Sequence, residues 1–490
     1  MAKAITNKKI AKNVVISISV QAISLLVSFI ANFFVPKFID KSQYSLWQMF
    51  MLYQGYVGIM HFGLLDGLIL RYSQYDYDEL DKSRLRSQFK LLLAFTSIVA
   101  LLMSGVVLLT MQGAHQIVFV LVALAIISKN YFTYTSYTFQ ITNRVNKYAS
   151  LIIMQRGIYG LVIVALLVFG VTDFYWFCLA EFIGDLVATL IMSFFNKGLY
   201  FGKSIPFKQA LKELKDNIGA GGLLLLANWS FIFIVSSARM VVQWVWGEVV
   251  FADVSFAFSV TNMFLTFATA ISVVLFPSLK RVESERLHSL YGTLRGAISL
   301  ILCAVLILYF PGCYVLSWWL PHYQSSLIYL GMMLPIIIYS SKVSLLTNSY
   351  LKVYRKEKAM AIINLCSIGV GLILSLIGAY VIKDLRFILI STVIVLAVNS
   401  LVAELIVNKL VGEKNIIGSL SEILLSIGFI ITATLLPLWW GMVAYIGLFA
   451  VYLVVNIKTV KGVILALIRK KEKTEVCSNE NENLTEETKN

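Results

Sequence analysis

This chain has little of what soluble catalysts are built from. Only 14% of its 490 residues are charged, against about 25% in ordinary globular domains. Its five cysteines, Cys178, Cys303, Cys313, Cys366 and Cys477, are odd in number and widely spaced, with no C-x-x-C pair. That spacing supports neither a disulfide framework nor a zinc site. The four histidines, His61, His115, His288 and His322, fall at expected helix ends or loops without an H-E-x-x-H, so they suggest no metal site. There is no Walker sequence, nucleotide-binding fold or G-x-S-x-G. No cofactor is therefore assigned, an ATP-driven pump would need a separate subunit, and the expectation is a protein that is not an enzyme. No connection between apolar stretches is long enough to hold a core of its own.

What the chain has in abundance is apolar sequence: 59% hydrophobic residues and a mean hydropathy of +0.81. Crossing a bilayer takes roughly 20 apolar residues. About fourteen such stretches are expected, at approximately 14–35, 44–70, 88–110, 115–137, 148–170, 174–195, 218–243, 250–276, 290–310, 325–350, 360–381, 386–408, 417–437 and 440–457. Cations crowd every second loop. About 32 of the 41 Lys and Arg lie on one side of these spans and about 4 (Lys37, Lys41, Lys383, Arg386) on the other. Cations stay cytoplasmic during insertion, so both termini are expected in the cytoplasm, at a bacterial plasma membrane. The net charge of +15 then reports sidedness and attraction to anionic lipid, not a nucleic-acid partner. The stretch from Lys3 to Lys12 and the run after it lack a signal-peptide cleavage site and read as a retained first helix.

The expected fold is an all-α integral membrane protein. Two parallel six-helix bundles, 1–195 and 217–410, enclose a central cavity. A basic amphipathic linker spans 196–216, with Phe207, Ala210, Leu211 and Leu214 at helical spacing against Lys208, Lys212 and Lys215. Two further transmembrane helices occupy 411–460, and a tail, basic and then acidic and disordered, occupies 461–490. An internal repeat supports the division. Asp40-K-S-Q-Tyr44 follows the first span and Gly247-E-V-V-Phe251 the seventh; Arg144-V-N-Lys147 follows the fourth and Arg355-K-E-Lys358 the tenth. Parallel repeats of this kind hold substrate on an axis along the membrane normal.

At these residues the chain resembles a known family. F34-V-P36-K37-F38-I-D40-K-S-Q-Y44-S-L-W47 and H61-F-G63-L-L-D66-G67-L-I-L-R71-Y72, with the R-x-x-K after the fourth span and R239-M-V-V-Q-W-V-W-G247-E248, look like bacterial flippases for O-antigen, capsule or exopolysaccharide repeat units. These belong to the multidrug/oligosaccharidyl-lipid/polysaccharide exporter superfamily. The sequence departs from that family at Asp40, where glycine is usual, and at Asn32, where a cation often stands. The resemblance implies alternating-access export of an undecaprenyl-pyrophosphate-linked oligosaccharide, with a polysaccharide polymerase and glycosyltransferases as partners. In related flippases the last helix pair lines a groove for the lipid tail. Three alternatives stand beside this reading: a multidrug or small-cation antiporter of the same superfamily, a peptidoglycan-precursor flippase, and a membrane polysaccharide polymerase or ligase. The last normally carries a large external loop, and none is present.

Charges at membrane depth are costly and tend to face partners or water-filled cavities. Lys129, Arg156, Arg239 and Lys342 are the expected cations of a cavity for an anionic headgroup, since Arg grips phosphate oxygens bidentately and Lys offers a point charge. Glu181 and Asp185, one turn apart, would balance those cations or carry a coupling proton. Their structural alternative is a permanent bond to Arg156. Asp66 joins this group, with local pairing to Arg71 as its simpler explanation. Pro335, a turn after Gly331, is the expected hinge, against a static kink relieved by neighbours. Trp244, Trp246, Trp318, Trp319, Trp439 and Trp440 fall at expected span ends, as an aromatic belt would.

Overall fold

The computed structural model describes residues 7–75, 77–142, 144–279, 284–413, 416–463 and 465. Among them the regular structure is helical throughout, with no strand. Backbone groups in lipid have no water to bond, so a helix that satisfies its own amides is the economical way across. The N-terminal part comprises α1 (Asn7–Phe33), a short α2 (Val35–Phe38), α3 (Lys41–Val57), α4 (Leu64–Tyr72), α5 (Lys82–Thr110), α6 (Gly113–Ile141), α7 (Val145–Val168) and α8 (Phe174–Phe194). A single helical run, α9 (Phe207–Leu279), connects it to α10 (Ser284–Val305), α11 (Tyr309–Trp319), α12 (Gln324–Met333), α13 (Ile336–Lys342), α14 (Asn348–Val353), α15 (Glu357–Ile377) and α16 (Leu385–Val411). The chain then adds α17 (Ile416–Leu435) and α18 (Leu438–Val455). The acidic part of the expected tail lies outside the described residues.

By length and composition, eleven of these helices can cross a membrane, or twelve if the bent pair Pro321–Met333 and Ile336–Val353 is one span. The expected count of about fourteen is not reached by that measure. Two local features separate the numbers. The stretch expected at 44–70 is broken between α3 and α4, where Phe62 (φ 50°) and Gly63 (φ 86°) turn left-handed. Conversely, the spans expected at 218–243 and 250–276 run together in α9, whose 73 residues would reach about 110 Å if straight. Gly247 (φ 76°, ψ −175°) prevents that. Arg239 and Ser255, eight residues to either side of it, are hydrogen-bonded at 3.0 Å, so α9 doubles back there as a hairpin.

The hydrophobic core is divided unequally along the bundle. One large cluster draws on both parts of the chain, from Val27, Trp47 and Phe177 to Phe256, Tyr323 and Leu389. At the end carrying the basic loops there are two separate clusters. One gathers Leu64, Leu85, Phe139 and Leu151 from the N-terminal part with the start of α9; the other gathers Tyr291, Tyr350, Met360 and Val407 from the C-terminal part. The two parts are thus fused at the far end and separately packed at the basic end. Polar contacts at the far end strengthen the union: Lys41 pairs with Asp253 at 2.8 Å, Ser42 donates to Glu248 at 2.9 Å, and Tyr53 donates to Gln243 at 2.9 Å.

The expected linker is helical from Phe207 and continues into α9. Ala210 is buried and Leu214 packs on the N-terminal cluster, whereas Phe207 and Leu211 stay exposed beside the lysines. Past it, α9 meets α4 backbone to backbone: a Cβ on Gly67 would lie 1.9 Å from the Asn217 carbonyl oxygen, and one on Gly221 only 2.1 Å from that of Gly63. Glycine is required there because nothing larger fits.

Candidate functional site

Two cavities lie side by side. The polar one, of about 220 Å³, lies between α1, α3, α7 and the two arms of α9, and Asn32, Gln48, Arg156, Arg239, Asn262 and Trp47 are among its lining residues. The second is an apolar groove of about 590 Å³, lined by Phe29, Phe33, Phe264, Leu308, Trp318 and Leu334 among others. Met263 lines both. The residues that form the groove come from α1, the second arm of α9, α11, α12 and their flanks. None comes from α17 or α18, which pack onto α12 and α11.

Arg239 is the centre of the polar cavity. The hairpin of α9 brings it to Ser255 (3.0 Å), and α3 brings Gln48, whose Oε1 accepts at 3.3 Å. Its guanidinium lies over the Phe258 ring at 4.5 Å. The residue is 5% exposed, and Nε has no hydrogen-bond partner. Among the described residues no carboxylate pairs with it. A buried guanidinium held only by neutral groups and ring faces costs several kcal/mol, which makes it a strong candidate for binding an incoming anion. Arg156 reaches the same cavity from α7. No carboxylate is among the residues lining it, so the described surface is cationic and rich in donors.

Lys129, Glu181, Asp185 and Lys342 fall into two networks. In the N-terminal part, Lys129 on α6 bridges Glu181 and Asp185 on α8 at 3.2 Å each. Arg156 stands 3.9 Å from Glu181, and Gln155 donates to Glu181 at 3.4 Å. Lys129 is thus turned to the carboxylates and is not among the cavity-lining residues.

Lys342 lies apart from Arg239. It pairs with Glu404 (2.7 Å) and Glu422 (2.5 Å), and Arg295 completes the set by bonding to Glu404, to Glu422 at 3.4 Å and to Ser419 at 2.9 Å. The structure therefore gives Lys342 two buried counter-ions where a place among the cavity cations was expected. Arg295 and Glu422 were missed in the sequence reading. Their signal was a single charge inside each of two apolar stretches, and distance from the chain's other charges hid the connection.

Asp66 is buried on α4, but Arg71 does not pair with it. Arg71 bonds instead to Glu213 at 2.7 Å and to Asn217 at 2.5 Å, because α9 packs against α4 and supplies a closer acceptor. Pro335 does interrupt the chain between α12 and α13, and the two segments are bent by 45°. Gly331 packs on Tyr309, whose hydroxyl would lie 2.7 Å from an added Cβ. Among the described residues no group of three or more His, Cys, Asp or Glu is placed to hold a metal.

No protein-family model matches the chain, and no curated protein matches it. Solved structures do. An inward-facing multidrug resistance MATE family transporter of the MOP superfamily aligns with a TM-score of 0.58 at 13% identity, covering 81% of this chain and 98% of that one. An outward-facing structure of such a transporter gives 0.55 at 14% identity, covering 82% and 94%. A MOP superfamily transporter from Pyrococcus furiosus, described as having a binding pocket of reverse polarity that suggests a different function, gives 0.50 at 11% identity, covering 82% and 94%. At such identities the likeness establishes the fold alone: a MATE-like helical architecture, in a chain whose many apolar helices make it a multi-pass membrane protein.

Proposed function

We propose that this protein is an alternating-access exporter of an anionic amphiphile, and specifically a flippase for an undecaprenyl-pyrophosphate-linked oligosaccharide repeat unit. Arg239 carries the proposal: a guanidinium buried in a polar cavity, with no carboxylate paired to it among the described residues. A pyrophosphate would fill the space beside Arg239 and Arg156, each able to offer paired N–H donors. The adjoining apolar groove, reached past Met263, would take hydrocarbon. At about 220 Å³ the cavity is below the usual size of small-molecule pockets, about 300–1,000 Å³. It would therefore hold the charged part of a headgroup, with the sugars extending toward the basic end, where the two parts have separate cores. In a bacterial cytoplasmic membrane such a flippase would supply a polysaccharide polymerase with units made by glycosyltransferases.

The fold neighbours fit a multidrug exporter equally well. Cavity polarity favours the anion, because a cationic drug would meet two arginines and no lining carboxylate. The test is Arg239→Lys and Arg239→Ala in cells that depend on this chain for surface polysaccharide. Both variants should reach the membrane at normal level, with polysaccharide lost in the alanine variant and reduced in the lysine variant. Undiminished polysaccharide in both would overturn the assignment.

A further inference from the structure

Each part of the chain holds one network of two cations and two carboxylates, and the two networks share a plan. A lysine from the fourth expected span meets a carboxylate from the sixth: Lys129 with Asp185 at 3.2 Å. The tenth and twelfth do the same, Lys342 with Glu404 at 2.7 Å. The networks differ in closure. In the C-terminal network both cations are shared between both carboxylates, and no member's side chain is more than 4% exposed. In the N-terminal network Lys129 alone touches both carboxylates. Arg156 reaches only Glu181, at 3.9 Å, stays 32% exposed and lines the polar cavity.

We infer that Lys129 is a positioning residue: by compensating Glu181 and Asp185 together, it leaves the Arg156 guanidinium available to an anion in the cavity. The inference rests on reading that cavity as the anion site. Coulomb attraction falls with distance, so the carboxylates draw first on the lysine at 3.2 Å and only weakly on the arginine at 3.9 Å. Take Lys129 away, and Arg156 becomes the nearest cation to two buried negative charges among the described residues; it turns from the cavity to α8. Neutralise one carboxylate instead, and Lys129 suffices for the other, releasing Arg156 fully. Gln155 also donates to Glu181, at 3.4 Å. No member of the sealed C-terminal network lines either of the two cavities, so it has no such exchange to make with an anion there.

The prediction is one of opposite signs, which general damage to the fold would not produce. Full-length protein in detergent is titrated with farnesyl diphosphate at pH 7 by calorimetry, alongside farnesol. Asp185→Asn and Glu181→Gln should each bind the diphosphate about threefold more tightly, and Lys129→Met about tenfold more weakly, the range of a part-exposed to buried ion pair. The triple variant K129M/E181Q/D185N should regain the affinity of D185N, with farnesol unaffected throughout. If K129M does not fold, the tightening by D185N and E181Q and its persistence in the triple variant carry the test. Wild type binding no diphosphate would overturn the anion site itself. Binding that Arg239→Ala abolishes, with the carboxylate variants unchanged or weaker, would overturn only the role given to Lys129.

Discussion

The C-terminal network offers the most direct test of the energetics. Replacing Glu422 by Gln keeps the volume and removes one negative charge, leaving Arg295 and Lys342 to share Glu404 in a site where neither cation's side chain exceeds 4% exposure. Breaking a buried pair from one side costs about 3–5 kcal/mol, because the remaining partner is left charged and dry. Lys342→Met, which leaves one cation against two carboxylates, should cost a similar amount. The double variant K342M/E422Q is different: Arg295 and Glu404 remain as a balanced pair. Its cost should fall to about 0–2 kcal/mol, giving a coupling energy of several kcal/mol in a double-mutant cycle. The assay is unfolding in mixed micelles, followed by helical circular dichroism, for the four proteins. Additive single-variant effects would refute the closed-network reasoning. Transport sharpens the reading: export restored in the double variant would place Lys342 in the scaffold, whereas export lost in both K342M and K342M/E422Q would return it to the transport path.

Two further outcomes follow from packing and closure. Gly67→Ala drives a Cβ to 1.9 Å from the Asn217 carbonyl and should separate α4 from α9 at about 1–3 kcal/mol. Gly247→Ala forces a side chain into a φ of 76° and should cost a similar amount, while Gly219→Ala, with nothing within 4 Å, should leave thermal stability unchanged or slightly higher; equal stability of all three would contradict the geometry. Lys41→Met removes the 2.8 Å link to Asp253, worth about 0.5–1 kcal/mol for a part-exposed pair. It should speed labelling of a cysteine at Asn262 by an impermeant maleimide applied from the far side, in a background lacking Cys366 and Cys477; an unchanged rate would remove that contact from the far-end closure.

How much of this was legible beforehand varies residue by residue. Arg239 and Arg156 were identified as cavity cations from depth alone, and both line the polar cavity. Depth could not separate them from Lys342, likewise inside an expected span but bonded to Glu404 and Glu422. Nothing in the sequence spacing connects residue 342 to residue 422. The pairing of Arg71 likewise went to Glu213 across the α4–α9 contact, a partner 142 positions away, and not to Asp66 on its own helix. Local spacing reports neighbours along one helix; it is silent about the helix packed alongside.

Hydrophobic length and the scarcity of charge by themselves determined that this chain is helical and lives in a membrane, since lipid permits few other ways to satisfy a backbone. The alternation of basic and neutral loops gave the expected sidedness. Which buried charges are cancelled and which are left for a ligand was decided only by tertiary structure. That outcome depends on a few ångströms between side chains of different helices, over which the energy of an ion at low dielectric changes most steeply.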